Sequence, residues 1–330
     1  MPRVSERIFR VQAPYEGNAV HLYFVRGAKL ALIDSGAGDS PLTAVEPALK
    51  ELGLEWSDLD FLLNTHGHPD HAGGNGELKA AAPRVQIGIH HADSHLLSGP
   101  DAHLRSKTDA AAVMRLMGRP DLVQEREATL RRVIGRSAAI DGELQDGDVV
   151  DLGDDVRLGV VHTPGHTAGS VCFYWEAEGT VFSGDAVQGH GWRAGTAPIY
   201  HDTIYVESLN KLESLGATTL CMGHTFGWGG VLNDPVRRGA EVAETLKASR
   251  DASSAIDRAA TEALGQLGPE APFIELAEAA FRELAFSLPL LFDRRTIVSP
   301  AAARAIRAHL EAHGWQAPNV SASVITAERG

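Results

Sequence analysis

Residues 65–71 read Thr-His-Gly-His-Pro-Asp-His, which places three imidazoles and a carboxylate within the six positions 66–71. The apolar run Phe61-Leu62-Leu63 leads into them. A short apolar run that ends in a polar cluster has the pattern of a buried strand delivering side chains to a site at its C-terminal end. A loop, unlike a helix, can turn all four of these side chains toward one point. Imidazole nitrogen and carboxylate oxygen are good ligands for Zn²⁺, Fe or Mn²⁺. Taken alone, the segment could also be a solvated histidine-rich turn.

Three further segments repeat the layout of an apolar strand followed by a ligand-type residue. His166 sits on a Pro-Gly turn after VVHT, Asp185 follows Val181-Phe182, and His224 follows Leu220. Each is weak by itself. Together with His66, His68, Asp70 and His71 they supply five histidines and two aspartates from four strand ends, enough for two metals sharing one oxygen–nitrogen site.

The flanking sequence suggests an α/β organisation. Residues 21–27 and 29–36 read as a hairpin, 41–52 as a helix and 85–90 as a strand. Residues 92–136 carry two helical patterns with no strand between them and read as a helical insertion. VCFYWEAEGTVFSGD reads as a second hairpin with its turn at EAEG, followed by a helix at 202–216 and a strand in TTLCMGH. After Asn233-Asp234-Pro235 the pattern becomes wholly helical. Phe273, Leu276, Ala277, Ala280, Phe281 and Leu284 lie on one face, and Ser299-Pro300 resembles a helix start. The expected division is a catalytic domain at 1–230 and a helical C-terminal region at 231–330.

Composition narrows the partners. The 330 residues carry 30 Lys+Arg against 43 Asp+Glu, a net charge of −13. Phosphate-backbone binding needs clustered Lys/Arg, so no nucleic-acid partner is expected. No apolar run approaches the ~20 residues of a membrane span. The N-terminus lacks a signal-peptide layout, and Cys172 and Cys221 are too few for a disulfide framework. A cytoplasmic chain with free thiols is the expectation, with homo-oligomerisation open.

The order H-x-H-x-D-H, G-H-T, G-D and G-H resembles the metallo-β-lactamase superfamily of metallohydrolases over roughly residues 7–230. The resemblance implies a four-layer αββα sandwich with the site at one edge. It also implies that His66, His68 and His166 hold the first metal, that Asp70, His71 and His224 hold the second, and that Asp185 bridges them. Asp34, in LIDSG, matches the family's Asp-Gly turn beneath the histidine loop, where it would orient a ligand or simply form the turn. The run from Thr65-His66 to Asp70-His71-Ala72-Gly73-Gly74-Asn75 resembles the glyoxalase II-like branch. After Asp185, AVQGHGWRAG matches that branch only loosely. Lactonase-like relatives usually carry a tyrosine soon after the bridging aspartate, whereas Gln188 and Trp192 stand here and Tyr200 comes late.

Several nearby residues stay open between site and scaffold. His190, Arg193 and Trp192 follow Asp185, and Phe226 and Trp228 follow His224. Met114 and Met117 lie in the insertion as helix packing or as a lid, and packing is favoured. His162 is expected to pack or hydrogen-bond beneath the His166 turn, and Cys221 to be a buried apolar residue. Two metals a few ångströms apart can hold a bridging hydroxide at neutral pH, so no serine or cysteine nucleophile is required. Asp70 would help orient that hydroxide. The expected enzyme is a dinuclear hydrolase of a small acyl substrate. A phosphodiesterase or nuclease on the same fold is the alternative, and a di-iron redox protein comes third.

Overall fold

The computed structural model describes residues 1–15, 18–105, 110–189, 202–228, 231–287 and 300–317. The first sheet runs in the order β1 (Ile8–Tyr15), β2 (Asn18–Arg26), β3 (Leu30–Ile33), β4 (Leu59–Leu63), β5 (Gln86–His90) and β6 (Gly142–Leu144). Its first three strands are antiparallel, and β3 to β6 are parallel. The second sheet contains β7 (Val149–Asp151), β8 (Arg157–His162), β9 (Val171–Trp175), β10 (Thr180–Gly184) and β11 (Thr219–Met222). A small hairpin, β12 (Phe226–Trp228) and β13 (Val231–Asn233), precedes β14 (Val236–Arg238), which pairs with β11 at the edge of the second sheet.

Period-two alternation sorts side chains between layers. Along β2, Tyr23 and Val25 face the second sheet, and Leu22 and Phe24 face the outer helices. The seam between the sheets is filled by Ile33, Leu63, Val160, Phe173, Phe182 and their neighbours. Full burial of side chains this size stabilises the fold by roughly 1.5–3 kcal/mol each. Outside the first sheet lie α1 (Glu46–Glu51), α2 (Pro69–Ala72) and α3 (Asn75–Ala81), with Val45, Leu49 and Leu78 packed on Leu32 and Leu62.

The segment between β5 and β6 is helical, as the sequence suggested. It holds α4 (His91–Ser94), α5 (Pro100–Arg105), α6 (Ala110–Leu116) and α7 (Pro120–Val133). Outside the second sheet lie α8 (Asp202–Ser214), α9 (Ala240–Leu267), α10 (Phe273–Ser287) and α11 (Pro300–Ala312). Their apolar faces join Val181, Leu220 and Val161 in one cluster that also takes in Val113 and Met117 of the insertion. The layers are therefore helix, sheet, sheet, helix. The insertion and the C-terminal helices meet where α11 packs on α6. Met117 belongs to the same cluster, and Met114 is buried too. Among the described residues no helix is long and apolar enough to cross a membrane.

One local reading is corrected. The chain does not turn helical after Pro235, because Val236–Arg238 forms a strand and helix begins at Ala240. Val-Arg-Arg shows no apolar alternation. It becomes a strand through its pairing with β11, and Pro235 at its start suits a sheet edge.

Candidate metal centre

All seven side chains that the sequence singled out meet at one edge of the sandwich. Parallel β4 ends at Leu63 and releases Thr65–His71, parallel β10 ends in Gly184-Asp185, and its parallel neighbour β11 leads to Gly223-His224. His166 comes from the turn between β8 and β9. Crowding at this edge explains the small residues there. A Cβ on Gly184, whose φ is +48°, would lie 2.2 Å from Thr65 Oγ1, and one on Gly223 would lie 2.6 Å from the His71 ring.

The side chains fall into three overlapping groups able to hold an ion. These are His66, His68 and His166; His66, His71 and Asp185; and Asp70, His71 and His224, with ligand atoms within 4.8 Å of one another in each group. His68 Nδ1 lies 2.8 Å from His166 Nε2, and His71 Nε2 lies 3.3 Å from His224 Nε2. The Asp185 carboxylate reaches both sides, 3.4 Å from His166 Nε2 through Oδ2 and 3.3 Å from His71 Nε2 through Oδ1. Asp70 Oδ2 lies 3.1 Å from His224 Nε2.

Hydrogen bonds behind three of the rings decide which nitrogen each of those presents. Thr65 Oγ1 donates to Asp34 Oδ2 at 2.8 Å, so its lone pair is left to accept from His66 Nδ1 at 3.1 Å. That tautomer turns the Nε2 lone pair of His66 into the cluster. His71 Nδ1 donates to Asp34 Oδ2 at 2.8 Å, and His224 Nδ1 donates to the Ala19 carbonyl at 2.9 Å, with the same result. Asp34 Oδ1 also accepts from Thr65 N at 2.7 Å. Asp34 adopts the left-handed conformation with φ 62°, which short polar residues tolerate. Beneath this loop, Asn64 and Asn75 bond each other, and the fully buried Ser35 donates to Asn75 Oδ1 at 2.7 Å.

Burial, then the neighbouring imidazoles, holds His66 and His68 well below the usual histidine range. His71 and His224 go the other way. Burial opposes their charge, but Asp185, Asp34 and Asp70 raise His71, and Asp185 and Asp70 lift His224 to about 9. Despite burial, Asp185 and Asp70 lie below the usual carboxylate range, Asp185 through His224 and His71, and Asp70 through His71 and His224. The donor set fits divalent ions. Two carboxylates and five imidazoles converge, and His66 Nε2 and Asp185 Oδ1 are buried without a hydrogen-bond partner.

A family model for the metallo-β-lactamase superfamily matches residues 15–224. The chain belongs to the metallo-β-lactamase superfamily. A hydroxyacylglutathione hydrolase of Rhodospirillum rubrum is 30% identical over 276 residues, covering 80% of this chain and 85% of that protein. Human acyl-coenzyme A thioesterase MBLAC2 is 28% identical over 199 residues, covering 56% of this chain and 64% of its own length. Among the most similar curated relatives, this chain spans from 48% to 85% of their lengths. A metallo-β-lactamase family protein of Thermus thermophilus superposes with a TM-score of 0.67 at 24% identity, over 94% of each chain, which supports the shared fold.

The remaining sequence candidates separate clearly. His162 Nε2 bonds the Ala168 carbonyl inside the His166 turn. Cys221 is buried between the sheets, and Phe226 belongs to the core under the C-terminal helices. Gln188 N donates to Tyr205 Oη at 2.8 Å, so the buried Tyr205 supports the loop after Asp185 from α8. His190, Trp192, Arg193 and Tyr200 lie outside the described residues, as does the side chain of Trp228. Two residues went unnoticed in the sequence. His21 is buried near His224, has neither ring nitrogen hydrogen-bonded, and is lowered to about 4 by burial and Arg10. Asp93 is buried against the loops that carry His66, His68 and His166.

Proposed function

We propose that this chain is a metal-dependent hydrolase of a small acyl compound, a thioester, ester or lactone, using two divalent ions, with zinc as the first choice. His66, His68 and His166 would hold one ion and Asp70, His71 and His224 the other, with Asp185 between them. The observation that carries the reading is the convergence of these seven side chains into overlapping groups of metal-binding size. The acyl class is supported by two relatives named as a hydroxyacylglutathione hydrolase and an acyl-coenzyme A thioesterase. The acidic balance of the chain weighs against a polyanionic substrate.

When bound, such ions would supply a water nucleophile at neutral pH and polarise the acyl carbonyl. Asp70, with its side chain 15% exposed against 8% for Asp185, is the acid better placed to accept a hydrogen bond from the attacking water at Oδ2 and to orient it. Asp34 holds the proton on His71 Nδ1, and the Ala19 carbonyl holds the one on His224 Nδ1, so each ring keeps its Nε2 turned inward. Neither thiol suits nucleophilic attack. Both are buried, and burial pushes Cys172 up to about 12 and Cys221 higher still.

The test is a substrate panel on metal-loaded protein. Turnover of a thioester, aryl ester or lactone that disappears on chelation and returns with added metal is the expected result. Cleavage of RNA or a bis-aryl phosphate in clear preference to every acyl substrate would overturn the acyl assignment.

A further inference from the structure

His68 and His166 come from segments 98 residues apart, yet their facing nitrogens lie 2.8 Å from each other. Something must hold the two loops in register. The Asp93 carboxylate, 2% exposed on the short α4, touches both. Its Oδ2 accepts from Gly67 N at 2.9 Å, between His66 and His68, and from Thr167 Oγ1 at 2.7 Å, next to His166. Its Oδ1 accepts from Gly169 N at 2.8 Å in the same turn.

The fit leaves little slack. A Cβ on Gly169 would lie 2.6 Å from the Asp93 carboxyl carbon, and one on Gly67 would meet Leu96 at 2.8 Å and the Asp93 carbonyl oxygen at 3.2 Å. A second contact works at the same junction. His90, three residues before Asp93, stacks on His162 with ring centroids 4.2 Å apart and planes 8° from parallel, and His162 in turn bonds the Ala168 carbonyl. Segment 90–93, where the helical insertion begins, thus grips the His166 turn through both Asp93 and His90 and the His66–His68 loop through Asp93.

We propose that Asp93 is a positioning residue that sets the spacing of His68 and His166, and with it the affinity of the ion those two share with His66. This rests on the metal reading given above. Three donors aimed at one carboxylate call for an acceptor-only group. Asparagine at this position would turn an N–H₂ toward donors already pointing at it. Residues that orient ligands in this way typically change metal affinity or activity by about 10–100-fold when replaced.

The experiment compares the full-length wild type with Asp93→Asn and Thr167→Val. Chelator competition with Co²⁺ and its visible spectrum read the two equivalents, and imidazole ¹⁵N shifts of the chelator-treated proteins read the rings. In Asp93→Asn one equivalent should weaken by about 10–100-fold while the other holds. Thr167→Val, which keeps both backbone donors, should weaken the same equivalent less. The ¹⁵N shifts of His68 and His166 should move while those of His71 and His224 stay. A folded Asp93→Asn with both affinities and all four shifts at wild-type values would overturn the proposal. If Asp93→Asn does not fold, unchanged affinities and shifts in Thr167→Val would overturn it equally. Wild type that takes up no ions would overturn the metal reading instead, and the ¹⁵N shifts would still decide whether Asp93 positions the rings.

Discussion

Asp34 Oδ2 lies 2.8 Å from His71 Nδ1, and both side chains are buried. The same carboxylate takes Thr65 N and Thr65 Oγ1, so one aspartate at the end of β3 orients two neighbouring stretches of the histidine loop. Asparagine tolerates the left-handed backbone at this position, which separates the carboxylate's role from backbone strain. Asp34→Asn should lower metal affinity and kcat/KM by about 10–100-fold while the chain still folds. Metal titration, kcat/KM and circular dichroism of the same samples check this.

The C-terminal helices share a core with the second sheet, so their packing should be felt by the whole molecule. Leu276 of α10 is fully buried in the cluster that includes Leu220 and Val181. Leu276→Ala should cost about 2–5 kcal/mol of stability. Urea denaturation should show a single transition moved to lower urea. An unchanged midpoint would mean that α10 is not coupled to the sandwich.

A pH effect is expected away from the candidate metal centre. Asp257 on α9 bonds His309 of α11 at 3.3 Å and His313, just after α11, at 2.7 Å, and chiefly through His309 its carboxyl falls from 3.8 to about 2. A depressed carboxyl stabilises the fold above its unfolded value and loses that contribution as pH falls through the folded one. The α9–α11 contact should therefore be at full strength above about pH 4 and fade toward pH 2. The gap in urea midpoint between wild type and Asp257→Asn should narrow over that interval. A gap independent of pH would contradict the assignment.

The convergence of the candidate ligands was legible because each follows an apolar strand, and strand ends collect at one edge of a sandwich. His66, His68, Asp70, His71, His166, Asp185 and His224 stand out by that pattern, and their order carries the resemblance that implies two ions. The strand Val236–Arg238 was not legible, since three residues are too few to show a period. Asp93 was hidden differently. Its partners lie 26, 74 and 76 residues away, and within Ile-His-His-Ala-Asp-Ser it reads as an ordinary acid at the start of a helix. His21 sits on a regular strand, and only the fold brings it close to His224.

The proposed two-ion centre turns on Asp185, whose carboxylate lies 3.4 Å from His166 Nε2 on one side and 3.3 Å from His71 Nε2 on the other. Metal content after reconstitution with excess Zn²⁺ and removal of loosely bound ions tests it most directly. Wild type should retain about two equivalents per chain and Asp185→Ala about one, with hydrolase activity nearly abolished in the variant. A reconstituted wild type that holds only one ion, or an Asp185→Ala variant that holds two and stays fully active, would contradict the account.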